Sequence, residues 1–97
     1  MARSRIERIR EKIRLREYDM SAHAMEEMAE DNLDIEDIES AILGGRLSKI
    51  DKEGMRGTIY TVKGLGLDQV TLVGVVGRFT TTERYLIITV YEITDKE

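Results

Sequence analysis

The N-terminal part of the chain repeats its apolar residues with the period of an α-helix. In residues 1–16, Ile6, Ile9 and Ile13 fall at positions i, i+3 and i+7, and the remaining positions carry mostly Arg, Glu and Lys. This spacing predicts an amphipathic helix with one narrow apolar stripe. Because a stripe of this kind has to be covered, we expect the helix to pack either on its own chain or on a second copy of it.

Two shorter helices are predicted next. Ser21 is a suitable N-cap for the first of them, which places His23 in its first turn. The apolar residues predicted on its buried side are Met25, Met28 and Ala29. The acidic residues predicted on its water-facing side are Glu26, Glu27 and Glu30. Asp34 is the N-cap predicted for the next helix, and Gly44 and Gly45 end it. The stripe of this last helix consists of Ile35, Ile38 and Ile42.

From residue 46 onward the apolar period changes from 3.6 to 2, which is typical of β-strands. The candidate strands cover residues 46–50, 57–63, 69–76 and 85–93. Their connections are short, so consecutive strands must be antiparallel, because a parallel crossover needs about a dozen residues or more. Segment 17–20 is compatible with a short edge strand.

Two of these strands carry further information. Residues 69–76 are apolar at both alternating positions, which predicts a central strand, and Gly74 within it indicates a bulge or a close contact. The residues of the last strand predicted on one face are Leu86, Ile88 and Val90. Those predicted on the other face are Tyr85, Ile87, Thr89 and Tyr91.

The elements together predict an α+β fold, in which N-terminal helices pack on one face of a four-stranded antiparallel sheet. We expect a single domain over residues 1–97. Its three predicted parts are a basic helical extension (1–16), a helical part (17–45) and the antiparallel sheet (46–97).

Composition narrows the class of protein. With 41% apolar and 35% charged residues, the chain is expected to fold rather than remain disordered. It has no cysteine, which excludes disulfides and thiolate chemistry. No apolar run approaches the ~20 residues of a membrane helix, and the N-terminus lacks the apolar core of a signal peptide, so we expect a cytoplasmic protein without membrane contact.

The charges are strongly segregated along the chain. Residues 1–16 carry seven basic and two acidic side chains, whereas residues 17–40 carry ten acidic and no basic ones. Residues 41–97 are nearly balanced, with eight basic and seven acidic side chains. Such segregation favours electrostatic docking of the basic on the acidic segment, within the chain or between proteins, although two separately solvated helix faces are an alternative.

The stretch "YDMSAHAMEEMAEDNLDIEDIESAILGG", followed by "RGTIYTV" and "LIITVYE", resembles the bacterial family called domain of unknown function 4258. The resemblance covers roughly residues 17–93, and the family is similar to the RelE/ParE toxin superfamily. It therefore implies a RelE-like fold and an antitoxin-like protein as partner. The chain departs from the family pattern at Glu27 and Asp31, where arginines are usual, and two carboxylates there are expected to repel RNA.

The resemblance implies two alternative functions. RelE-type proteins are metal-independent endoribonucleases of toxin–antitoxin pairs, whereas ParE-type proteins of similar fold are not nucleases. The chain is therefore either a RelE-like toxin-type protein that cleaves RNA, or a non-catalytic protein-interaction module of the same fold. Such a module would bind an antitoxin-like partner or a second copy of itself, and helix 1–16 is the segment expected to form a homodimer.

Metal-free RNA cleavage needs a base, an acid and cations on the phosphate. His23 and Tyr91 are the catalytic candidates, and the cations predicted to bind RNA are Arg46, Arg56, Lys63, Arg78 and Arg84. Each has a structural alternative: His23 can bond a carbonyl or carboxylate, Tyr91 can be a half-buried ring, and strand cations can simply face water. Because no second histidine and no cysteine accompany His23, we expect neither a metal site nor a cofactor.

Overall fold

The computed structural model of the chain describes residues 4–52 and 55–94, so the start of the predicted helix 1–16 lies outside the described residues. The helices of this part are α1 (Arg5–Arg14), α2 (Ala22–Glu30) and α3 (Ile35–Gly44). Its strands are β1 (Tyr18–Met20), β2 (Arg46–Asp51), β3 (Ile59–Leu65), β4 (Leu72–Phe79) and β5 (Tyr85–Ile93). The predicted α+β fold class is confirmed.

The strands form one sheet in the order β1-β5-β4-β3-β2, with β4 in the centre as predicted. Strands β2 to β5 are antiparallel neighbours, but β1 pairs with β5 in parallel, in the register Tyr18 with Tyr85 and Met20 with Ile87. The prediction of four antiparallel strands is therefore wrong: the sheet has five strands and is mixed. Loop lengths could not reveal the fifth pairing, because the whole of α2, α3 and β2–β4 lies between its two strands.

Helices α1 and α3 cover one face of the sheet. Ile9 and Ile13 of α1 are both buried in the same core as Ile42 of α3, so the isoleucine stripe packs on its own chain. Arg10 reinforces this docking, because its guanidinium donates to the carbonyl of Gly45 over 2.7 Å at the C-terminal end of α3, where a cation is favoured. A homodimer through helix 1–16 stays a prediction, and it would have to use other surfaces of the helix.

Helix α3 lies directly on β3. A Cβ atom at Gly64 would overlap the carbonyl oxygen of Ala41, so only glycine permits this approach. The start of α3 is fixed by Asp37, whose carboxylate accepts the backbone N–H of Asp34 over 2.9 Å. The predicted cap at Ser21 is also present, since its hydroxyl accepts the N–H of Ala24 over 3.0 Å at the start of α2.

Helix α2 runs along the edge of β5. Its fully buried residue is Ala24, while Met25 is 51% exposed and Ala29 is exposed as well, so the predicted stripe is wrong at both of these positions. A helix that lies beside a sheet rather than over it buries less apolar surface. Glu27 points inward instead, towards β5, although the sequence pattern placed it in water.

A β-bulge separates the two halves of the pairing between β4 and β5. Gly77 is paired with Ile87 but Val76 with Thr89, which leaves Ile88 as an extra residue. Because one inserted residue reverses the alternation of a strand, Tyr85 is fully buried under the helices, whereas the ring of Tyr91 lies on the opposite face. The prediction that Tyr85 and Tyr91 share a face is therefore wrong. Residues 86–90 are nearly all apolar, so the sequence offers no signal for the insertion.

Candidate nucleic-acid interface

The sheet face turned away from α1 and α3, here called the open face, collects most of the strand cations. Val62 and Gly64 of β3 face the helices, so Lys63 between them faces the other way. The register then places four cations on the open face: Arg46 and Lys49 on β2, Lys63 on β3 and Arg78 on β4. These charges come from three neighbouring strands about 4.8 Å apart.

Arg46 and Lys63 are direct cross-strand partners on this face. Two like charges placed opposite one another destabilise a sheet. Neither side chain forms an ion pair with any carboxylate of residues 4–52 and 55–94. Two neighbouring cations without an acidic partner are available to bind an anion such as a phosphate.

Tyr91 lies in the same cross-strand row. Lys63 is paired with Gly74, and Gly74 with Tyr91. A Cβ atom at Gly74 would overlap Cζ and the hydroxyl oxygen of Tyr91, so the phenol end of the ring lies over the glycine. The close contact predicted at Gly74 is confirmed. The row therefore presents a half-buried phenol next to two cations.

A shallow apolar cavity of about 340 Å³ lies elsewhere on the open face, and Arg46, Lys63 and Tyr91 are not among its lining residues. Arg56 and Arg78 contribute its cations. Its other lining residues are Ser21, Met55, Ile59, Leu86 and Ile88. An apolar floor between two guanidinium groups suits a planar ring that carries a negative charge. Sequence patterns could not indicate this cavity, because its walls come from separate strands and a loop.

Arg84 differs from the other predicted cations. Its Nε lies 2.8 Å from Oδ2 of Asp19 on β1, and its guanidinium also donates to the carbonyl of Tyr18. The Arg84 hydrogen bond holds the pKa of the Asp19 carboxyl below its usual value. Arg84 is thus neutralised within the chain and fastens β1 to β5. The other carboxylate on the strands of the open face is Asp51, at the outer edge.

His23 occupies a different position from Tyr91. Its ring is on α2, 63% exposed, with Nε2 3.1 Å from Oε2 of Glu27. The second oxygen of Glu27 accepts the backbone N–H of Val90 on β5. No hydrogen bond joins His23 to Tyr91 in the part of the chain that the structure describes. The carboxylate bond matches the structural alternative for His23.

Comparison with known proteins identifies the family. Residues 20–92 match the family described as Domain of unknown function (DUF4258). The chain belongs to this family. The DUF4258 region begins at the last residue of β1 and ends within β5, so it contains α2, α3 and the open face but not α1. No curated protein sequence and no solved structure matches the chain.

Two further observations concern membranes and metals. The helices of residues 4–52 and 55–94 are too short and too polar to cross a bilayer. Over the same residues, no three carboxylate or imidazole groups converge in a way that could hold a metal ion.

Proposed function

We propose that the chain is a RelE-like, toxin-type protein that binds single-stranded RNA on its open face. The observation that carries the proposal is that Arg46 and Lys63 lie opposite each other on the sheet without a carboxylate partner. The net charge of the whole protein is nevertheless −4. Most carboxylates of the acidic segment lie on α2 and α3, outside the strands that form this face. The open face is thus a cationic surface on an acidic molecule, separate from the basic helix α1 on the covered side of the sheet.

The chemistry of the open face suits a single strand rather than a duplex. Lys and Arg side chains bind phosphates and release condensed counterions. Tyr91 and the apolar cavity beside Arg56 and Arg78 offer surfaces on which unstacked bases can lie. A sheet that combines cations with an accessible aromatic ring face is a common way to bind RNA without strict sequence preference, and the half-buried Tyr91 is the candidate for that ring here.

Cleavage is a further part of the proposal. Tyr91 is the proposed proton donor to the leaving oxygen, supported by its place in the same cross-strand row as Lys63, and His23 is the remaining candidate for the base. His23 is engaged by Glu27, so it must leave that carboxylate before it can act on RNA. We therefore propose that the chain binds RNA well but cleaves it slowly.

The test is titration of a fluorescent single-stranded RNA with the protein over a range of salt concentrations. We expect Lys63→Ala to weaken binding and to reduce the salt dependence by about one phosphate contact. The same substitution relieves the repulsion from Arg46, so the free energy of unfolding should stay equal or rise. A purely structural role for Lys63 would give the opposite result for stability.

Arg5→Ala is the matched control, because Arg5 is an exposed cation at the start of α1, on the covered side of the sheet. It should leave RNA affinity and its salt dependence nearly unchanged. Incubation of the RNA with a chelator, for wild type and Tyr91→Phe, measures metal-free cleavage separately. Equal loss of affinity in Lys63→Ala and Arg5→Ala, or no binding by the wild type, would exclude the open face as an RNA site.

A second candidate function is a non-catalytic protein-interaction module that binds an antitoxin-like partner. A specific observation favours it, because α3 carries four carboxylates beside exposed leucines. Its acidic residues are Asp34 at the N-cap and Glu36, Asp37 and Glu39 within the helix.

A further inference from the structure

A groove lies between α3 and the turn that joins β3 to β4. Its volume is about 510 Å³. Leu43 comes from the end of α3, and Leu65 and Leu67 come from the end of β3 and the turn. Glu36, Glu39 and Gln69 are among the polar residues that line it. This groove is on a different part of the fold from the apolar cavity of the open face, and the two share no lining residue.

The apolar residues of the groove are unusually exposed. Leu43 and Leu65 are each 38% exposed, and Leu67 is 63% exposed. A contiguous patch of exposed leucines with a polar rim is more typical of a protein-binding surface than of ordinary protein surface.

Hydrogen bonds join the two walls of the groove and fix their relative position. Asp37 of α3 accepts the backbone N–H of Leu67 over 2.9 Å, and the Ser40 hydroxyl donates to the carbonyl of Leu65 over 3.2 Å. The turn itself is braced by Asp68, whose carboxylate accepts the N–H groups of Val70 and Thr71. These bonds hold the backbone at Leu67, whose side chain is 63% exposed, and a braced backbone favours a preformed site.

The rim of the groove is acidic. Residues 17–44 contain no Lys or Arg, so α2 and α3 provide no cation to balance Glu36 at the rim. Glu39 accepts a hydrogen bond from Tyr18 and lies 3.7 Å from the exposed guanidinium of Arg16, which neutralises it only in part. An apolar floor with a carboxylate rim is complementary to a helix that has leucines on one face and Lys or Arg beside them.

We propose that this groove binds a basic amphipathic helix of another protein. The proposal deepens the second candidate function above and does not depend on RNA binding. The chain's own basic helix is not available as the occupant, because Ile9 and Ile13 of α1 are buried and Arg10 is bonded to Gly45. A second copy of the folded chain therefore cannot supply its α1 without unfolding it.

The probe is a fluorescent synthetic helix of about four turns with leucines on one face and lysines and arginines on the others. We expect it to bind the wild type, more weakly at high salt. Leu67→Ser removes an exposed leucine from the groove and should weaken binding roughly tenfold. Glu36→Lys should weaken it as well, and it should strengthen binding of a charge-reversed probe with glutamates in place of the cations.

Three controls make the outcome decisive. Glu26→Lys on the exposed side of α2 changes the net charge equally, and Val70→Ser removes an exposed apolar side chain outside the groove lining. Both should bind the basic probe as the wild type does. RNA affinity of Leu67→Ser should be unchanged, which separates this site from the open face. Equal binding of the probe to all variants, or a wild-type dimer that Leu67→Ser dissociates, would overturn the proposal.

Discussion

The backbone N–H of Val90 donates to the carboxylate of Glu27 over 3.1 Å, across the edge of the sheet. The next such N–H along β5, that of Glu92, donates to Asp31 over 3.0 Å. Residues four apart on a helix rise by about 6.0 Å and residues two apart on a strand by about 6.7 Å, so the two spacings nearly match. With Ser21 donating to the carbonyl of Ile88, α2 takes the place of an edge strand where β1 has ended.

We predict that Glu27→Ala destabilises the fold by about 1–3 kcal/mol, because it leaves the N–H of Val90 without an acceptor at a partly covered edge. Chemical denaturation measures the free energy of unfolding, and hydrogen exchange should show faster exchange at Val90. Glu26→Ala is the matched control, since Glu26 is an exposed glutamate one residue earlier. Unchanged exchange at Val90 in Glu27→Ala would contradict the capping role.

The capping role changes the interpretation of two residues that the sequence marked as departures from the family pattern. Glu27 and Asp31 were expected to repel RNA along the helix edge, but their carboxylates bond the sheet. Helical periodicity could not predict this, because it distinguishes a buried face from a wet one but not a helix flank that touches a strand edge. The chemistry of the pair depends on a tertiary contact more than sixty residues away.

Elements with local signals were predictable from the sequence. The capped helix α3, the central strand β4 and the close contact at Gly74 all follow from spacing, capping residues and a glycine within an apolar run. The bulge at Ile88 and the parallel pairing of β1 were not predictable, because both are properties of strand partners. As a result Arg46, Lys63 and Arg78 could be named as candidates, but the face they share, the Arg46–Lys63 pair and the position of Tyr91 could not be predicted.

Gly74 and Tyr91 provide a second prediction. A Cβ atom at residue 74 would overlap the Tyr91 ring, so Gly74→Ala should destabilise the chain by about 1–3 kcal/mol. In a Tyr91→Ala background the overlap is gone, and the same substitution should be nearly neutral. Gly44→Ala is the control for the added methyl group, because a Cβ atom at residue 44 would have no neighbour within 4 Å. Additive effects in the denaturation cycle would show that the ring does not depend on the glycine.

Tyr85 and Tyr18 should respond in opposite ways to loss of the hydroxyl. The Tyr85 hydroxyl is buried and has no hydrogen-bond partner in the described part of the chain, whereas the Tyr18 hydroxyl donates to Glu39. We predict that Tyr85→Phe leaves the fold equally stable or stabilises it by about 1–2 kcal/mol, and that Tyr18→Phe destabilises it by about 1–2 kcal/mol. Urea denaturation of the two variants provides the comparison. A clear loss of stability in Tyr85→Phe would mean that its hydroxyl has a bonding partner, such as an ordered water.

The Asp68 carboxylate should make the stability of the β3–β4 turn depend on pH. Hydrogen bonds from the Thr71 and Val70 N–H groups and from the Thr71 hydroxyl hold the pKa of the Asp68 carboxyl below its usual value. The folded state therefore binds this proton less readily than the unfolded state, whose aspartates titrate near pH ~3.9. Stability from Asp68 is complete above that pH and is lost as the pH falls through the lower folded pKa.

We predict that the difference in unfolding free energy between wild type and Asp68→Asn is largest near neutral pH and shrinks in acid, measured by urea denaturation across a pH series. Glu26→Gln controls for the lost charge, and a difference that stayed constant down to the acid limit would show that Asp68 braces the turn without its charge.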